Sequence, residues 1–99
     1  MKVAVTLWKD RFIDGGTAYE SWQDDVPGEW RSRPGFVELI GNLAFAQDNL
    51  DGVVHVIVAV AEDENARPRT IKRSYPTQMT MKVVHLDRDE GKFRLELIR

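Results

Sequence analysis

The chain has 99 residues, a formal net charge of -2, a hydrophobic share of 42% and a charged share of 30%, the proportions of one ordinary globular domain with a single core. It contains no cysteine, which excludes disulfides, thiolate nucleophiles and thiolate metal sites. So small a net charge gives no overall cationic field for nucleic acid or anionic membrane, and the longest apolar run, Val53–Ala61, is too short to cross a bilayer as a helix.

Residues 2–8 alternate, with Val3, Val5 and Leu7 on one side and Lys2, Ala4, Thr6 and Trp8 on the other, which predicts a strand. A lone basic residue followed by a strand is not the charged-then-apolar pattern of a secretory leader, so the expected location is the cytoplasm. Phe12-Ile13 leads into Asp14-Gly15-Gly16, a turn signal, and Thr17-Ala18-Tyr19 resumes with β-favouring residues as a second strand.

Residues 21–35 hold Trp22, Trp30, Arg31 and Arg33 together with Pro27 and Pro34, and their Pro-Gly pairs mark a loop. Tryptophan and arginine are the side chains most enriched at binding hot spots, so these four are candidate binding residues. The competing reading is that the tryptophans close one end of a small core.

The best-defined element follows. Phe36, Leu39, Ile40, Leu43, Gln47 and Leu50 recur at spacings of three and four, with Ala44 and Ala46 between them, and this predicts an amphipathic helix with its stripe on the core. Ser32 suits the N-cap, Pro34 the first turn, and Gly52 the left-handed residue beyond the last turn. Val53–Ala61 then reads as a central strand covered on both faces.

An acidic turn at residues 62–65 precedes Arg67, Arg69, Lys72, Arg73 and Tyr75. Four cations with a tyrosine beside them offer phosphate contacts and a ring for a base to stack on, so these five are also candidate binding residues; the competing reading is a solvated connection that balances the acidic turn. Pro68 and Pro76 argue against a long regular element there. Residues 80–86 and 92–98 form a hairpin about a turn at 87–91, with Phe93, Leu95 and Leu97 on its buried side.

The expected fold is a single α+β domain over residues 1–99: a mostly antiparallel five-stranded sheet, curled into a partial barrel, with one amphipathic helix packed on it. No catalytic motif is present, and His55, His85 and Asp87 show no recognised metal-ligand spacing. Carboxylate clusters fall in turns, where solvent keeps them ordinary acids. No catalytic residue, metal site or cofactor is therefore expected. The expected function is a non-catalytic protein-interaction module, binding a protein partner or itself through the tryptophan loop and a strand edge. The alternative is a nucleic-acid-binding accessory module using segment 67–73.

Overall fold

The computed structural model describes residues 1–21, 34–66 and 70–98. In chain order the elements are β1 (Ala4–Trp8), β2 (Phe12–Ile13), β3 (Ala18–Glu20), α1 (Pro34–Asn49), β4 (Val53–Ala61), β5 (Ile71–Asp87) and β6 (Lys92–Leu97). Among the described residues the sheet has six strands rather than the five expected. Asp14, Gly15 and Gly16 all take positive φ, which turns the chain back so that Phe12 pairs with Tyr19 and Ile13 with Ala18.

The strand order is β1-β4-β5-β6-β3-β2. Only β1 and β4 run parallel; every other pairing is antiparallel. The two ends of this order, β1 and β2, are joined by the three residues Lys9–Arg11. So short a link between opposite ends forces the sheet to curl into an open half-barrel. The Trp8 N–H donates to Tyr19 Oη across that closure at 3.2 Å, and the Phe12 ring meets the Tyr19 ring edge-on with centroids 5.1 Å apart.

The helix fills the half-barrel. Ile40, Leu43 and Ala46 are buried against Val5, Leu7, Val54, Val56, Met81, Val83 and Leu95, as the three-four spacing predicts. Gln47, expected in the same stripe, is exposed instead; its Oε1 accepts from Arg88 Nη2 at 2.9 Å, which a core position would not permit. Asp51 and Gly52 take φ of 56° and 79°, and the Gly52 N–H reaches back to Ala46 C=O at 2.9 Å, ending the helix as a left-handed cap does.

The basic connection is corrected as well. β5 begins at Ile71 and continues through Pro76 to Asp87, whereas the prolines argued against a regular element. Residues 71–79 have β4 on one side and lie beyond the reach of β6, whose pairing starts at Met81 with one further bond from the Ile98 N–H to Thr80 C=O. Proline is tolerated on such an edge. The ladder is irregular there too: its register shifts between His55 and Ile57, and Thr77 Oγ1 donates to Val56 C=O at 2.8 Å while accepting from the Met79 N–H at 3.0 Å. Among the described residues, no helix is long and apolar enough to cross a membrane.

Candidate docking site

Of the residues singled out in the sequence, Trp22, Trp30, Arg31, Arg33, Arg67 and Arg69 lie outside the described residues. Lys72, Arg73 and Tyr75 are on the outer half of β5, and all three are exposed. Arg73 pairs with Val60 and Tyr75 with Val58, so those two share a face, while the register shift between Val60 and Ala61 displaces Lys72. Among the described residues, no three His, Cys, Asp or Glu side chains gather as a metal site would require.

The sheet presents two substantial free edges among the described residues, and they differ in chemistry. The outer half of β5 carries Lys72, Pro76 and a ladder irregularity at Lys72, the three devices that discourage a further strand from pairing. β1 is Ala-Val-Thr-Leu-Trp, with no charge, proline or bulge. Nothing in its sequence opposes pairing.

The parallel ladder determines which groups β1 has to offer. His55 donates its N–H to Val3 C=O at 2.8 Å, and β1 pairs with β4 in the register Ala4 to His55 and Val5 to Val56. In a parallel ladder the bonded residues alternate. Val3, Val5 and Leu7 therefore face β4, and Ala4, Thr6 and Trp8 turn their backbone groups away from it. Trp8 is engaged by Tyr19. Ala4 and Thr6 are exposed, with no pairing strand on that side among the described residues.

A groove of about 190 Å³ runs beside this edge, lined by Ala4, Val5 and Thr6 of β1 and by Gly35, Glu38, Leu39 and Asn42 of α1. The helix forms its opposite wall because residues 35, 38, 39 and 42 lie on one flank at helical spacing. A Cβ built on Gly35 would meet nothing within 4 Å among the described residues. An extended segment laid there has backbone groups to pair with on one side and a helix flank on the other, the arrangement of strand addition.

Larger hollows flank Arg94, but its guanidinium is already committed. Nε donates to Glu96 at 2.8 Å, Nη1 to Glu20 at 2.7 Å and Nη2 to Asp14 at 3.0 Å. These hydrogen bonds, first those to Glu96 and Asp14, raise the Arg94 pKa further above its ordinary value. The cluster clasps the β2–β3 turn onto β6 and leaves the cation with little to offer an anionic ligand. In the sequence, Arg94 stands out only as lying on the strand face opposite Phe93, Leu95 and Leu97. Its partners Glu20 and Asp14 are 74 and 80 positions away, a separation no local pattern reveals. The β1 edge and Glu38 were missed for a related reason, since a strand's pattern does not say whether a neighbour covers its second edge.

No protein-family model matches this chain, and neither a curated protein nor a solved structure matches it.

Proposed function

We propose that this protein is a non-catalytic interaction module of the cytoplasm, which binds a protein partner by adding an extended segment of that partner to the free edge of β1. The observation that carries the proposal is the outward-turned backbone of Ala4 and Thr6 beside the α1 groove. Main-chain hydrogen bonds supply affinity in such docking, and the groove wall supplies selectivity. The tryptophan loop remains part of the proposal as a candidate anchor.

The register provides a clean test. The Thr6 N–H is not used by β4, so Thr6→Pro removes an outward donor while sparing the β1–β4 ladder, and edge strands tolerate proline. Random peptides displayed on phage are selected on the wild-type chain and on the variant. Peptides enriched on the wild type and lost on folded Thr6→Pro support the site. Enrichment that Thr6→Pro leaves unchanged, or no enrichment on the wild type, refutes it.

One observation favours a second reading, nucleic-acid binding. Lys72 and Arg73 have no ion-pair partner among the described residues, and Tyr75, 38% exposed, follows two positions after Arg73. Phosphate contacts weaken steeply as salt rises. Oligonucleotide affinity that falls with salt and is lost in Lys72→Ala/Arg73→Ala supports it; absence of binding at low salt removes it.

A further inference from the structure

We propose that the strand accepted at β1 carries a lysine or arginine that reaches Glu38; this rests on the strand-addition reading of β1. Among the described residues, Glu38 is the only charged one lining the groove. The described sequence of α1 has two carboxylates, Glu38 and Asp48, and no lysine or arginine. Asp48 is taken by Arg88, whose Nη1 and Nη2 reach it at 3.1 and 2.7 Å. Glu38 is exposed and has no ion-pair partner among the described residues. A carboxylate on the wall of a groove whose other described lining residues are uncharged selects a cation and repels an acidic segment.

The neighbouring residues suit a long cationic side chain. Leu39 is half-buried and adjoins Glu38 in the same wall. The methylene stem of a lysine or arginine covers such apolar surface while its charged head stays in water, here beside the carboxylate. Along an added strand, every second side chain points to the helix side, at a spacing of about 7 Å. One such position in the bound segment therefore carries the cation, and its same-face neighbours pack against Val5 and Leu39.

A second copy of this chain fits the edge less well. Two-fold pairing of β1 with itself would set two α1 helices on the same sheet face and bring their groove-side Glu38 carboxylates toward each other. The free edge is also short, since it closes at Trp8, whereas stable interfaces bury on the order of 1,200 Å² or more. A short basic segment of another protein needs neither symmetry nor a large area.

The test uses acetylated, amidated six-residue peptides of alternating valine and threonine, with lysine, glutamine or glutamate placed at each position in turn. Their affinities for the wild-type chain, Glu38→Lys and Thr6→Pro are measured by fluorescence anisotropy. At one position, lysine should bind the wild type about two- to five-fold more tightly than glutamate, the size expected of an exposed ion pair. That preference should fade in 1 M salt and reverse in Glu38→Lys, and every peptide should lose affinity for Thr6→Pro. Equal affinity for lysine and glutamate at all positions, with binding still lost in Thr6→Pro, overturns the basic partner and leaves strand addition standing. Binding that Thr6→Pro does not weaken, or no binding to the wild type, overturns both.

Discussion

Leu43→Ala tests the packing of the helix most directly. Leu43 is 0% exposed in the centre of α1 and belongs to the main core cluster. The change removes three carbon groups, and at about 0.8 kcal/mol per buried group the transfer contribution alone is about 2.4 kcal/mol. The cavity left in that cluster adds to this, because the strands facing the helix are held by their pairing in the sheet and can collapse only partly; the expected total is about 3 to 4 kcal/mol. A domain of this size has a total stability of roughly 5 to 15 kcal/mol, so the variant should remain folded at 25 °C with a markedly lower urea midpoint and an unchanged denaturant slope. Val37→Ala, on a helix position 42% exposed, is the control and should cost less than about 1 kcal/mol. A Leu43→Ala loss below about 1 kcal/mol, or equal losses for the two variants, would show that the helix does not pack on the sheet through this face.

Three further outcomes follow from particular contacts. Gly52 has φ of +79°, and a Cβ there would lie 3.3 Å from Val83 C=O, so Gly52→Ala should cost about 1 to 3 kcal/mol in urea unfolding; a neutral result would contradict the left-handed cap. Tyr19→Phe removes the acceptor of the Trp8 N–H and should cost about 0.5 to 2 kcal/mol, with faster amide exchange at Trp8 as its specific signature. The Arg88 hydrogen bond, aided by its charge and opposed by desolvation, holds the Asp48 carboxyl below its ordinary pKa. A depressed folded pKa means that this stabilisation is complete above the unfolded carboxylate range and is lost as pH falls through the folded value. Arg88→Ala should therefore lose less stability than the wild type between pH 5 and pH 2 in parallel denaturant titrations, and identical acid limbs would show that the pair contributes nothing.

Local chemistry made much of the fold legible. The alternation at residues 2–8, the three-four stripe from Phe36 to Leu50, the glycine at position 52 and the valine-rich run of β4 each predict the element that forms, because burial on one face imposes a period that the residues must carry. The same logic fails where a residue's role depends on what lies across space. Gln47 fits the helical period but turns to Arg88, 41 positions away. Pro76 reads as a breaker, yet it sits in a strand because β6 ends its pairing at Met81 and leaves that edge uncovered.

The candidate site divides in the same way. The exposed Lys72, Arg73 and Tyr75 were visible as residue types, since charge and aromaticity are properties of the side chain alone. The edge at Ala4 and Thr6, unpaired among the described residues, and the place of Glu38 in the groove wall were not. An alternating strand looks the same whether its second edge is paired or bare, and a helical glutamate looks the same whether or not an arginine stands opposite. The order of residues by itself determined the helix, the strands of the core and the turn that caps the helix, because those depend on neighbours along the chain. Only the tertiary structure decided that β1 lies at the end of the sheet and that α1 runs beside its free edge, because strand order and helix placement are set by contacts between distant segments.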